Sequence, residues 1–446
     1  MESISFPYYL TLALILLAGI GCWVLTRRLS ARRPAPREVS ALKSGWLDVL
    51  IVTLCFAGLF LTPMHIRTGI LKEPIGEYRY INWLCAAAMA LSLLRIRRWS
   101  WVELLCFCVW LLLLIPLKAS DPKRQLGTTT SAVVQLLFPL FLTLYRMNPD
   151  SRRRAVGLFL VLFDVFIAAL LVCGVVERLT GNAILAAVRD WLTSNGWSAA
   201  EYIRYIDDNR FGFIWGHTLT NAIYFNAFYV LNIAWFRAYR RRCPSLLFFA
   251  VTLAGVLLSS AKFGLIVCFV LLVITHWKQK KWLLAVIPVL AVLYFAGAFN
   301  RIIYRFTHTT FSTDRLEELQ GYLASGVNPL RFFPGYGIAK VLKSSGPVYA
   351  WRHGFEFPLL MHAYNFGILF SVLHVGGLGA FATWRFLREK NWLPWVCWGL
   401  LFAEINIYNA FALLNQDMCY FFCLFTMLML NIPKEPPVKK DAKTAG

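Results

Sequence analysis

Charge is scarce in this sequence. Only 15% of its 446 residues are Asp, Glu, Lys or Arg, against 59% apolar, and the mean hydropathy is +0.58. So little charge cannot solvate the surface of ordinary soluble domains, which excludes an average soluble enzyme, a disordered chain and a collagen-like one. Acids are scarcer than bases, 23 against 45, leaving a formal charge of +22 that in a soluble protein would point to nucleic acid. Cysteine is not rare, but of the eleven only Cys243 stands in a loop. No CxxC or Cys/His spacing suits zinc, so neither a disulfide framework nor a metal site is expected. The residues before the first apolar run lack basic character and arginines follow it, so that run is expected to stay as a helix rather than be cleaved.

What the chain does have is apolar runs long enough to cross about 30 Å of hydrocarbon as helix. Thirteen begin near residues 6, 46, 80, 101, 128, 155, 211, 244, 262, 282, 358, 392 and 418. Those at 244 and 262 are separated only by Ser259-Ser260-Ala261 and read as a tight hairpin. Taking alternate loops as cytoplasmic from Arg27–Lys43 onward places 27 of the 45 Lys and Arg inside, with five acids, and 18 outside. The positive-inside rule therefore predicts an outside start and an inside tail. The expectation is an all-α polytopic membrane protein: one integral membrane domain over residues 1–446, with twelve or thirteen transmembrane helices. Two outer loops are long enough for chemistry, a smaller one at 177–210 and a larger one at 300–357.

In the larger loop Asp314 and Glu317 form a capping-box-like helix start. Leu316, Leu319 and Leu323 then share a face, predicting an amphipathic helix on the outer surface with Arg315 in its first turn. The helix leads to Asn328 and then Gly335-Tyr336-Gly337, a turn able to bring backbone N–H groups to an anion. Seven bases against four acids in this loop ask for an anionic ligand, and arginine's planar fork suits a diphosphate. Arg210, His217 and Asn221 lead into the seventh run, and Lys262 sits at the hairpin turn. His362 and Asn365, three apart, share a helix face on the eleventh run. His374, deeper in that run, suits helix–helix hydrogen bonding. Asp48 and Glu103 start runs at the cytoplasmic interface, Asp164 lies inside one, and Glu404 with Asn406 and Asn409 forms a polar patch suited to packing or substrate lining.

Taken in order, these stretches resemble the O-antigen ligase and polymerase superfamily, integral-membrane glycosyltransferases of the bacterial inner membrane. Arg210–Ala222, Leu257–Gly264, Arg315–Gly337 and His362–Gly379 carry the likeness, which covers roughly residues 205–380. The chain departs from it in having Lys262 where Arg is usual, Ala363 after the histidine, and about one extra turn between His362 and Gly376. The resemblance implies an inverting, metal-independent transfer needing no cofactor, with its site on the periplasmic face. The donor is an undecaprenyl-diphosphate-linked glycan and the acceptor a growing glycan or lipid A-core; membrane lipids are partners and nucleic acid is not. Arg315, Arg210 and Lys262 would bind the diphosphate, His362 would act as general base with His217 as runner-up, and Asn365 and Glu404 would line the acceptor site. Ligase and polymerase both remain open.

A transporter or flippase of lipid-linked glycans is the rival class. It is expected to show internal repeats and cations deep along a central path; no repeat is visible, and the bases cluster at the outer rim. Reporter fusions test the topology: fusions at Arg33, Arg153 and Lys440 are expected to report cytoplasm, and fusions at Asp190 and Ser344 the opposite side. A cytoplasmic signal at Ser344 would remove the outer-face argument.

Overall fold

The computed structural model describes residues 38–64, 67, 81–120, 126–194, 210–212, 218–240, 242–308, 320, 324, 329–337, 357–408, 411–412 and 417–434. Among them there is no strand. The helices are α1 Glu38–Phe56, α2 Trp83–Ser92, α3 Trp101–Ala119, α4 Thr129–Thr143, α5 Pro149–Leu179, α6 Ala183–Ser194, α7 Thr218–Trp235 and α8 Leu246–Ser259. They continue as α9 Lys262–His276, α10 Lys280–Phe295, α11 Asn300–His308, α12 Pro358–Phe366, α13 Ile368–Arg388, α14 Trp392–Ile405 and α15 Met418–Asn431. Local signals set their starts. The Asn82 side chain accepts from the Cys85 amide ahead of α2, Glu103 accepts from the Ser100 amide in a capping box, and Asn148 precedes Pro149 at α5.

Twelve of the thirteen apolar runs coincide with these helices, and the run near residue 6 lies outside the described residues. Among the described residues, length and apolarity enough to cross a membrane alone belong to α3, α5 and α13, or to four spans if α10 and α11, bent 79° from one another, count as one. Helices of 14 residues, such as α14 and α15, reach about 21 Å at 1.5 Å per residue and fall short of a bilayer by themselves. Burial differs along the bundle. α15 is buried on every side, whereas α10 exposes Leu284, Ile287 and Val292 at the edge of the bundle.

One end of the bundle is tied by two carboxylates. Asp48 of α1 is fully buried; Tyr145 and Ser151 donate hydroxyls to it, the Asn148 amide lies at 3.1 Å, and Arg95 stands 2.8 Å away. Glu103 of α3 is equally buried, with Arg146 Nε at 2.6 Å and Arg385 of α13 at 3.5 Å. Both acids expected near the cytoplasmic edge are thus enclosed within the protein. Each is drawn inside because arginines from neighbouring segments neutralise it and hydrogen-bond donors take its remaining lone pairs.

The interior bends where partners exist. Among the described residues four helical turns are widened to π geometry, at Ala57–Leu61, Val133–Leu137, Phe236–Arg240 and Val372–Gly376. A widened turn frees backbone carbonyls that apolar surroundings cannot solvate. In α4 the Val134 carbonyl accepts from the Tyr420 hydroxyl at 2.7 Å, and Leu136 O lies 2.8 Å from His374 Nε2. His374 therefore does join two helices, from one widened turn to another. Arg67 makes a two-pronged ion pair with Asp417 at 2.9 and 3.1 Å, and Gln135 Nε2 donates to the same carboxylate at 3.2 Å.

Asp48→Ala would leave Arg95, Tyr145 and Ser151 buried around a missing acceptor. We expect a loss of about 3–5 kcal/mol, read as a lower melting temperature of the protein in detergent. An unchanged melting temperature would remove Asp48 from the packing of this end.

Candidate functional site

The α8–α9 hairpin turns within two residues because Ser260 adopts a left-handed conformation, φ 52° and ψ 40°, and Ala261 leads directly into α9. Three separate segments anchor this tip. The amide of Phe211 donates to Leu258 O at 3.2 Å, and Asn221 of α7 donates to Phe211 O at 3.0 Å. Arg305 of α11 donates to the Ser260 carbonyl. A chain segment, the hairpin and the bent helix α11 therefore meet at one point.

Beside the tip lies a cavity of about 60 Å³, bordered by Lys262, Gly264, Arg305, Glu404 and Tyr408. Lys262 is nearly buried in the first turn of α9, with its ammonium 5.5 Å from the ring centre of Phe306. Glu404 comes from the far end of α14 and accepts from Asn226 Nδ2, which lies 2.8 and 3.0 Å from its two oxygens. That same nitrogen lies 3.0 Å from Gly264 O, so one amide clamps α7, α9 and α14. Gly264 is required by close approach: a Cβ there would stand 2.9 Å from Glu404 Oε1 and 3.3 Å from the Ala222 Cβ. Two cations and one carboxylate thus face a small space walled by apolar side chains. In such surroundings charge interacts far more strongly than in water.

A second cluster forms where α12 breaks. Gly367 has φ +99°, which ends α12, and the chain restarts at once as α13. In an unbroken helix the amides of Ile368 and Leu369 would bond to Tyr364 O and Asn365 O. Instead they bond to Arg331 O at 3.0 Å and Phe332 O at 3.3 Å, and the vacated carbonyls accept from Tyr336 N and Gly337 N, both at 2.8 Å. The 331–337 segment exchanges hydrogen bonds with the broken helix, and the Gly335 amide donates to Ser120 Oγ at 2.9 Å. This corrects the expectation that the Gly-Tyr-Gly turn presents its N–H groups to an anion, because all three are consumed inside the protein.

His362 and Asn365 sit in this second cluster. Both are buried, with the His362 ring among Phe366, Phe370, Phe411 and His374, the last at 4.7 Å between ring centres. Neither ring nitrogen of His362 nor the side-chain amide of Asn365 meets a hydrogen-bond partner among the described residues. His362 does not border the Lys262 cavity.

Of the residues singled out by sequence, Lys262 and Glu404 are therefore brought together, and His362 and Asn365 form a separate buried pair. Arg210 is buried next to the anchored Phe211 but outside the cavity lining. Arg315, His217 and the helix expected after Asp314 lie outside the described residues, as does Asn409. Asn406 turns back to Phe402 O at 2.8 Å, so the partner of Glu404 is Asn226 rather than its own helix. Sequence reading missed Asn226 and passed over Arg305. The available signals were an asparagine inside an apolar run and the four-residue spacing of Arg301 and Arg305 on a short amphipathic helix. Comparison of the chain with known protein families, curated proteins and solved structures yields no match.

Gly367→Ala tests the break. Positive φ disfavours any Cβ, and this one would lie 2.7 Å from Phe332 O. The expected result is a loss of about 1–3 kcal/mol in stability together with faster proteolysis in 331–337. Wild-type melting and wild-type cleavage would show that the exchange of hydrogen bonds does not hold this loop.

Proposed function

We propose that the chain is a membrane glycosyltransferase that moves a glycan from an undecaprenyl-diphosphate donor to an acceptor hydroxyl. The product is a bacterial surface polysaccharide, extended by polymerisation or attached to lipid A-core. On this reading twelve or thirteen helices cross the inner membrane, and the end carrying Lys262 and Glu404 faces the periplasm. The observation that carries the proposal is the meeting of Lys262, Arg305 and Glu404 at one cavity beside the hairpin tip. The ordered likeness of residues 205–380 to the O-antigen ligase and polymerase superfamily supports it.

The chemistry asks for what these residues have. The acceptor oxygen attacks the anomeric carbon opposite the diphosphate, the new C–O bond forming as the bond to the phosphate oxygen breaks, so configuration inverts. The electron pair leaves with the diphosphate, and its growing charge is met by Lys262 and Arg305, with Arg315 and Arg210 as further donors from the same face. The hydroxyl proton goes to Glu404, whose carboxylate is held in place by Asn226. Glu404 takes this role in place of His362, which lies among aromatic rings away from the cavity. A space of about 60 Å³ admits only the reacting end of the ligands, so the glycan itself lies outside it.

A transporter of lipid-linked glycans would use a broken helix differently. There the exposed ends of half-helices bind substrate. Here the freed groups at Gly367 are taken by the 331–337 segment, which favours a fixed scaffold over a moving gate.

Purified protein with a lipid-linked donor tests the reading. Lys262→Ala is expected to lower turnover by about 10²-fold or more and Lys262→Arg to retain it. Glu404→Gln keeps an acceptor for Asn226 but cannot take a proton, and is expected to lose about 10²–10⁴-fold. Full turnover in both Lys262→Ala and Glu404→Gln would sink the proposal. In a deletion strain, core carrying one repeat unit would identify a polymerase, and free polymer on its carrier a ligase.

A further inference from the structure

The hairpin of α8 and α9 has a second end. At 1.5 Å per residue the 14 residues of α8 put it about 21 Å from the Ser260 tip, and on the expected topology it faces the cytoplasm. There α7 gives way to the widened turn Phe236–Arg240, and the Arg242 amide closes back on Phe236 O at 3.4 Å before the chain enters α8 at Ser245. The Cys243 thiol donates to Thr275 O at 3.1 Å and so pins this connection to the last turn of α9. Between the two lies a cavity of about 380 Å³, within the range of about 300–1,000 Å³ usual for small-molecule sites. Phe236 and Leu246 form its apolar side; Arg242, Ser245 and Gln279 are exposed at its rim, and His276 is buried against it.

The chemistry turns on His276. Its Nδ1 lies 3.2 Å from Gln279 Oε1, and the Gln279 amide donates to His276 O at 2.7 Å. Because a carboxamide oxygen only accepts, Nδ1 carries the proton of the neutral ring, and Nε2 is left to accept when the ring is neutral and to donate when it is charged. Nε2 meets no hydrogen-bond partner among the described residues, although the residue is only 2% exposed. A polar atom enclosed in this way costs stability until a ligand or solvent completes it. The surrounding groups select an anion. Arg242 holds its guanidinium 5.8 Å from the Phe236 ring centre and makes no ion pair among the described residues. Ser245 makes no capping hydrogen bond to the first turn of α8, whose amides carry partial positive charge. The chain has no Asp or Glu between Asp208 and Asp314, while Arg237, Arg240, Lys278 and Lys281 flank the cavity in sequence. Basic loops alone would satisfy the topology rule; a buried histidine with an unspent nitrogen is not explained by it.

We propose that this cavity binds a phosphate group, with Arg242 pairing its charge, the first turn of α8 facing its oxygens and His276 Nε2 completing it. Phosphate fits both states of His276: its oxygens accept from the charged ring, and its hydroxyl, where protonated, donates to the neutral one. The group is either the headgroup of a lipid, with Phe236 and Leu246 against the start of its chains, or free in solution. Its binding requires no glycan transfer, so failure of the transferase reading and failure of this site are seen in different experiments.

The probes are inorganic phosphate and dioctanoyl phosphatidic acid, each titrated calorimetrically into the full-length protein in detergent. Saturable binding at one site is expected, of the phosphatidic acid alone if the group belongs to a lipid and of both probes if it is free phosphate. Arg242→Gln, at an exposed position, is expected to weaken binding about tenfold or more. His276→Phe is expected to do the same, whereas His276→Gln keeps a donor and retains most of the affinity. Lys278→Gln with Lys281→Gln, both outside the cavity lining, is expected to change binding about twofold or less. In the wild-type chain the bound probe is expected to slow alkylation of Cys243, in the lining, by N-ethylmaleimide and to leave the exposed Cys108 unaffected. Binding of neither probe would overturn the proposal, as would undiminished binding in Arg242→Gln. So would an equal loss in the lysine pair, or unprotected Cys243 at saturation.

Discussion

An apolar bundle tolerates a polar group only where that group finds a partner, and the departures from straight helix in this chain follow from that constraint. Asp48 and Glu103 are drawn out of solvent because arginines and hydroxyls complete them. The widened turn of α4 persists because Tyr420 and His374 take up its Val134 and Leu136 carbonyls, and at the widened turn of α13 Trp110 donates to Leu373 O. At the opposite end Asp417, itself in a left-handed conformation, is held by both prongs of Arg67 and by Gln135. Removing one member of such a set costs more than the set contributes, since the others stay buried and uncompensated.

The same constraint builds the proposed site. A hairpin that turns in two residues leaves carbonyls at its tip, and Arg305 and the Phe211 amide satisfy them. Satisfying them brings α11 against Lys262 and the Arg210–Gly212 segment against the hairpin tip. Glu404 then enters from α14 because Asn226 offers it a donor and Gly264 leaves it room. The charged groups that would meet a diphosphate are thus held by the contacts that hold the tip, which is the preorganisation catalysis requires. The bend before α11 is what delivers Arg305 to the tip.

The break at Gly367 shows how a loop becomes part of the scaffold. Two hydrogen bonds that a continuous helix would make locally are replaced by four bonds to a segment some thirty residues earlier in the chain, and the Gly335 amide reaches α3 as well. A segment held this firmly by its backbone opens only when those bonds break together.

Sequence alone determined that the chain is helical and apolar, where most helices lie, and that its polar interest gathers at the hairpin turn and the two longer loops. Those properties follow from composition and from runs of neighbouring residues, which a linear chain displays directly. Lys262 and Glu404 were legible singly, the first as a base at a hairpin turn and the second as an acid inside an apolar run. Their partnership was not, because Glu404 is separated from Asn226 by 178 residues, and no local pattern states which faces will meet. Only the tertiary structure decided that His362 belongs to an aromatic cluster rather than to the cavity, that the Gly-Tyr-Gly amides are spent on α12, and that Asp48 is interior. In each case the deciding quantity was the availability of a partner from a distant helix, which is a property of packing and not of the order of residues.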